Sequence, residues 1–316
     1  MAYSGSALKG KTIYVCIAVI AALLILPFIS SPYYLRLMIT ISASIITAYG
    51  LNIVIGYMGY PSLSQSVFYG VGGYTMALMT LRLGVSPWIA LLVSPVTSFI
   101  VGYLVAIPFL KLRSLFFAIG TLALSGVVNT VLVNFHEITG AESGLRNIPR
   151  LFESEILFFY LQAALILAAL LGTRIMANSH WGKILVAIRE DEDLTPHLGI
   201  DKTRYKRLTF AIASAVTGLA GAVFISYQTY ISSNYFTIST SFSILASTVI
   251  GGAGSLLGPI FGGLIVIGIP EVFRGMYQWR PSFIGLVLVA VVLLSPDGVN
   301  GLLLKIRGLI SKGAGK

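Results

Sequence analysis

The chain has 316 residues, 56% hydrophobic and only 10% charged, with a net charge of +10. A soluble globular domain carries about 25% charged residues, so this composition excludes a soluble enzyme or binding module and points to a polytopic membrane protein. The basic balance would suggest nucleic acid in a soluble protein. Here it is read instead as Lys and Arg retained on the cytoplasmic side of a membrane, and no nucleic-acid partner is expected.

The apolar runs are about twenty residues long, enough to cross roughly 30 Å of hydrocarbon as helices and too long for the ten-residue alternating strands of a β-barrel. They predict an all-α transmembrane bundle of about eight to ten spans, near 12–30, 33–57, 61–82, 86–110, 115–135, 155–176, 208–230, 239–252, 256–278 and 281–304. No soluble second domain is expected, so 1–316 reads as one domain. The first run follows Lys9 and Lys11. It is too long for the apolar core of a signal peptide and lacks a clear cleavage site, so it is expected to remain as a span. Gly5 to Thr12 reads GSALKGKT, which satisfies the phosphate-loop pattern. That loop needs a strand before it and a soluble helix after it, and a membrane span follows here, so ATP chemistry in this chain is not expected.

The stretch 50–80 is rich in Gly and interrupted by Pro61. It carries the polar side chains Asn52, Ser62, Ser64, Gln65 and Tyr74. A Pro and Gly break frees backbone groups, which membranes tolerate only where protein or a watery cavity covers them. The stretch is therefore either a wall of a translocation path or a site of close helix packing, and 61–82 is expected to be broken or re-entrant. The segment 239–252 is short enough for a half-helix, and 250–263, IGGAGSLLGPIFGG, reads as a flexible turn. The longest loop on the other side, 136–154, carries Thr139, Gly140, Gly144 and Arg146. It is either a solvated connector or a docking surface.

Between two apolar runs lies a polar island, 180–207, which holds eleven of the 32 charged residues. Such a segment cannot sit in hydrocarbon, and Leu185, Ile188 and Arg189 fall at helical spacing. With the N-terminus inside and ten spans, fifteen Lys and Arg fall on the cytoplasmic side and six on the other. This bias places both termini and the island in the cytoplasm. His136, His180 and His197 fall in loops without partners at metal-ligand spacing, so no metal, cofactor or catalytic set is expected. Only Glu271 lies well inside an expected span, with Arg274 one turn on, and the pair reads as structural. An ion-coupled transporter needs more buried charge than this, which leaves a secondary transporter or channel as the alternative rather than the first reading.

Several stretches, in order, carry a resemblance. They are Gly50-Leu51-Asn52 through Gly59, Ser62-Leu63-Ser64, Phe68-Tyr69-Gly70, Gly73-Tyr74-Thr75, and Thr139-Gly140 with Gly144-Leu145 and Ile148-Pro149. They continue as Trp181-Gly182, Ala187-Ile188-Arg189-Glu190-Asp191-Glu192, Leu198-Gly199-Ile200, Tyr205-Lys206, Gly218 to Ala222, Gly251 to Ser255, and Gly258-Pro259. The chain resembles the M-type permease subunit of branched-chain amino acid ABC importers. It departs from that pattern at Ala141, where a Gly is common. The resemblance implies an importer subunit of a prokaryotic plasma membrane, paired with a second related permease, two separate ABC ATPase subunits and a soluble substrate-binding protein. It implies branched-chain amino acids as cargo, with urea, short amides or other amino acids carried by similar proteins. It places ATPase coupling on Trp181, Gly182, Leu185, Ile188, Arg189, Glu190, Asp191, Leu198 and Gly199, with the ionic contacts on Arg189 to Asp191 and with Leu185 and Ile188 packing against the ATPase. It leaves Asn52, Ser62, Ser64, Gln65 and Tyr74 as path candidates, and Thr139, Gly140, Gly144 and Arg146 as candidates for docking the binding protein.

Overall fold

A computed structural model describes residues 31–272 and the single positions 282, 285, 286, 288, 289, 293 and 298. The expected first span, most of the expected last one, Arg274 and the C-terminal tail lie outside the described residues.

Helix α1, Pro32–Asn52, opens on a proline, whose fixed φ suits the first helical position. It runs on through a π-helical turn, Ile53–Met58, and stops at Gly59, whose φ of 76° is left-handed. The irregular residues 59–64 follow, and α2, Gln65–Leu81, resumes. Helices α3, Pro87–Phe109, and α4, Ser114–Asn134, complete the first half. A short turn, α5, His136–Thr139, leads to the two-residue strand β1, Leu145–Arg146. Helix α6, Glu155–Asn178, is followed almost at once by α7, His180–Glu190, and then by α8, Lys202–Gln228. Strand β2, Tyr230–Ile231, pairs antiparallel with β1, Leu145 opposite Ile231 and Arg146 opposite Tyr230. Helix α9, Ile238–Gly251, and α10, Gly258–Gly263, flank the turn 252–257, and α10 continues through a π-helical turn, Leu264–Gly268, into α11, Ile269–Val272.

Among the described residues, five helical segments are long and apolar enough to cross a membrane: Pro32–Met58, Pro87–Phe109, Ser114–Asn134, Glu155–Asn178 and Lys202–Gln228. Their burial is uneven. The apolar windows of α1 and α8 are 78% and 72% buried, whereas that of α4 is 17% buried, so among the described residues α1 and α8 form the centre and α4 lies at the periphery. Small residues let the central helices touch. A Cβ on Gly72 would overlap the Gly218 carbonyl, and one on Gly218 would overlap the Ser98 hydroxyl, so α2, α8 and α3 meet backbone to backbone.

The two ends of the bundle differ. At one end Arg36 pairs with Glu155 at 3.0 Å and Arg82 donates to the Glu137 carbonyl, beside the β1–β2 ribbon. At the other end lie Lys111, Arg113, α7 and the basic first turns of α8. Glu271, read from sequence with Arg274, accepts from the Tyr33 hydroxyl at 2.5 Å.

Candidate functional site

The break at 59–64 puts non-helical backbone between two membrane-depth helices, where unmatched polar groups cost several kcal/mol each. The chain supplies partners one by one. The Gly59 carbonyl accepts from Ser114 Oγ at 3.1 Å, and the Leu63 amide donates to Thr121 Oγ1 at 3.0 Å. The Leu63 carbonyl accepts from Ser125 Oγ at 2.7 Å. Ser62 and Ser64 share a hydrogen bond at 3.0 Å and are both fully buried. The peripheral α4 thus carries one polar stripe, and that stripe holds the break.

A second irregular segment, 252–257, is clamped by Asn52. Its Nδ2 donates to the Ser255 carbonyl at 3.0 Å and its Oδ1 accepts from the Gly254 amide at 2.7 Å. Tyr49 Oη donates to the Leu256 carbonyl at 2.8 Å. A Cβ on Gly56 would overlap the Gly254 amide. The π-helical turn of α1 therefore borders both irregular segments.

Helix α7 reaches that turn. Ser179 caps it, its Oγ accepting from the Gly182 amide at 3.3 Å, a standard way to satisfy an orphan first-turn donor. A Cβ on Gly182 would overlap the Met176 carbonyl, so glycine permits the sharp turn from α6. Trp181 lies against the Tyr205 ring with centroids 4.6 Å apart, and its Nε1 donates to Thr209 Oγ1 at 3.0 Å. Leu185 and Ile188 are 0% and 2% exposed. They pack inside this chain, because their helical spacing turns them onto its own core, and so cannot present the partner-facing surface expected of them. The exposed residues of α7 and the loop after it include Lys183, Val186, Glu190, Asp193, Leu194 and Pro196.

Arg189 also turns inwards. Its Nη1 donates to the Gly56 carbonyl at 2.6 Å, its stem covers Gly59, and its Nη2 meets Glu190 Oε1 at 3.1 Å. A π-helical turn disturbs the regular ladder, and this carbonyl finds its partner in α7. Asp191 ends the helix, its Oδ1 accepting from the Asp193 and Leu194 amides at 2.9 and 3.0 Å. It caps the turn of the loop and stays exposed. Gly199 closes the next turn with φ of 73°, while nothing is described of the Leu198 side chain.

Sequence reasoning missed the group that fixes this loop. Lys206 is 2% exposed, and its Nζ donates to Glu192 Oε1 at 2.9 Å, to Tyr60 Oη at 2.7 Å and to the Leu110 carbonyl at 3.3 Å. Tyr60 Oη in turn donates to Glu192 Oε2. Lys202 Nζ adds an ion pair to Glu192 at 3.4 Å. Burial raises the Glu192 carboxyl. The hydrogen bonds from Lys206 and Tyr60 and the charges of Lys206 and Lys202 outweigh that and hold it below the ordinary carboxylate value. The loop after α7, the break after α1, the end of α3 and the start of α8 meet at this one cluster. Lys206 entered the sequence reading only within the Tyr205-Lys206 match and among other cations, with no role of its own; its i+4 placement after Lys202 was the one sign that set it on a defined face.

Beyond the break, Gln65 is fully buried in the first turn of α2. Its Oε1 accepts from Thr217 Oγ1 at 2.8 Å, while its Nε2 has no partner among the described residues. The Tyr74 hydroxyl and the Ser247 hydroxyl are likewise buried without partners among the described residues. Ser66 and Ser241 share a hydrogen bond at 2.6 Å. Ser241, Ser247 and Thr217 join the candidates named from sequence. Among the candidates, Asn52, Ser62 and Ser64 each have their polar atoms in internal bonds, whereas Gln65 Nε2 and the Tyr74 hydroxyl have no partner among the described residues.

At the opposite end, Thr139 is buried, its Oγ1 bonded to the Leu132 and Phe135 carbonyls at 2.6 and 2.9 Å. Gly140 and Gly144 hold φ of 72° and 66° and build a tight turn. Arg146 alone of the four docking candidates presents a charged side chain, 5.9 Å over the Tyr230 ring.

Residues 33–296 match the family described as branched-chain amino acid transport system / permease component. The high-affinity branched-chain amino acid transport system permease protein LivM of Salmonella typhimurium is 30% identical over 94% of this chain and 76% of its own length. The protein of the same name from Escherichia coli is 29% identical over the same shares. The Escherichia coli permease protein LivH of that transport system is 30% identical over 43% of this chain and 44% of its own. No solved structure matches the chain.

Proposed function

This multi-pass membrane chain belongs to the branched-chain amino acid transport permease family, and we propose that it is the M-type permease subunit of an ATP-driven importer of branched-chain amino acids. It works with a second, LivH-like permease, two separate ABC ATPase subunits and a soluble binding protein. The whole chain serves as one permease domain of a prokaryotic plasma membrane, with the cationic end and both termini in the cytoplasm. It carries no catalytic site of its own.

The observation that carries this reading is the bond from Arg189 in α7 to the Gly56 carbonyl. The α7 loop presents charged and apolar groups outwards and grips the broken part of α1 inwards, which is what a lever between an ATPase and a pathway requires. The pathway passes the first turn of α2, where Gln65 Nε2 is an unpartnered donor and the helix N-terminus favours the carboxylate of an amino acid. Arg146 is the group offered to the binding protein.

Arg189→Ala in the assembled transporter, reconstituted in proteoliposomes, tests the lever. Hydrogen bonds to a charged group contribute about 1.5–3 kcal/mol, so leucine uptake should fall about tenfold or more while ATP hydrolysis persists. Wild-type uptake in this variant would remove Arg189 from the mechanism.

A further inference from the structure

A cavity of about 520 Å³ opens at the cationic end, between α3 and α8. Phe99 and Tyr103 line it from α3, and Thr203, Arg204, Arg207 and Leu208 from α8, with Asp201 at its edge. Neither guanidinium takes part in an ion pair among the described residues. Arg207 Nε is buried with no hydrogen-bond partner among the described residues. Arg204 is exposed and Arg207 half-buried, so two guanidinium charges with no counter-charge, one of them with an unmatched buried N–H that is costly to leave so, face the same cavity and call for an anion. The Asp201 carboxylate does not meet that need, since its Oδ1 accepts from the Arg204 backbone amide at 3.1 Å and caps α8.

The surroundings select the anion. Above the arginines, Arg204, Leu208 and Ile212 follow one another at i+4 along α8, and Ile212 is 40% exposed. On α3, Ile100 and Leu104 beside the cavity are 52% and 58% exposed. Charge at the end of the spans thus passes without interruption into an apolar stripe at hydrocarbon depth. A free phosphate would use the arginines and leave the stripe uncovered, and a soluble protein segment could not follow the stripe into the bilayer. Basic pockets between membrane helices favour anionic headgroups in this way. We propose that the cavity binds one anionic phospholipid, its phosphate on Arg204 and Arg207 and its acyl chain along Leu104, Leu208 and Ile212. The site braces the first turns of α8, which carry Lys202 and Lys206, and it does not depend on the transport reading.

The full chain, purified in detergent, is titrated with phosphatidylglycerol, phosphatidylcholine or inorganic phosphate, and occupancy is read by native mass spectrometry. Phosphatidylglycerol should bind in preference to phosphatidylcholine. Arg204→Gln with Arg207→Gln should weaken it about fivefold per arginine, the scale of one cation near an anionic surface. The Lys pair at the same positions should retain binding, and Lys111→Gln with Arg113→Gln, at the same end but outside the cavity, should leave it unchanged. If the double Gln variant does not fold, the exposed Arg204→Gln alone must still show its share of the loss. Equal binding of the two lipids, or equal loss from the Lys111 and Arg113 pair, overturns the proposal. Displacement of the lipid by phosphate would assign the cavity to a free anion, and displacement by an added ATPase subunit would assign the arginines to that interface; either result also overturns it.

Discussion

Ala141 holds a φ of 50° in the loop that follows α5. A left-handed conformation costs an L-residue roughly 1–2 kcal/mol that glycine does not incur. Ala141→Gly should therefore raise stability by about 1 kcal/mol, read as a higher melting midpoint in detergent; a lower midpoint would mean the alanine side chain contributes packing that outweighs the strain. The departure from the usual glycine was visible in the sequence, and its physical meaning became clear only with the dihedral angle. Glu192 gives a prediction with a sign. Its carboxyl is held below its ordinary value, so its contribution to stability is present above the unfolded pKa of about 4.3 and is lost as pH falls through the depressed folded value. The melting midpoint of Glu192→Gln should lie below wild type at neutral pH, and the gap should close in acid. A gap that stays constant down to the acid limit would contradict the ion pair. Lys206→Met should cost about 2 kcal/mol, the low side of breaking a buried pair, because Glu192 keeps part of its surface in water.

At the scale of elements, the spans were legible because twenty apolar residues can do little else, and the break was legible from Pro61 and its serines. The π-helical turn at Ile53–Met58 was not, since one extra residue per turn leaves no mark in composition. Nor was the inward face of α7. Leu185 and Ile188 satisfy a partner groove and a self-contact equally well on spacing alone, and the choice between them depends on α1 and α8. Lys206 illustrates the general reason: its partners Tyr60 and Leu110 lie 146 and 96 residues away in sequence. The close approach of α2 to α8 was readable as a run of small residues, though not which glycine faces which carbonyl. Gly72→Ala should destabilise the bundle by about 1–3 kcal/mol, the usual scale of overpacking, because its Cβ would overlap the Gly218 carbonyl. Gly126→Ala, whose Cβ would meet open space, serves as the control and should leave the melting midpoint of the purified chain unchanged or raise it.

For the whole molecule, the account makes one mechanical claim. Helix α7 and the loop after it are joined to the broken end of α1 at two points, Arg189 on Gly56 and the Glu192–Lys206 pair on Tyr60, so motion imposed on this unit moves the break. The α4 stripe of Ser114, Thr121 and Ser125 holds the far side of that break, and the Asn52 clamp carries the same displacement to the turn 252–257. The measurement that tests this most directly is the ratio of leucine imported to ATP hydrolysed by the assembled transporter carrying Tyr60→Phe. The substitution removes one hydroxyl and keeps the ring. The account predicts ATP hydrolysis near the wild-type rate with the transport ratio reduced roughly tenfold, as expected for losing a hydrogen bond to charged partners. A ratio equal to wild type would contradict it.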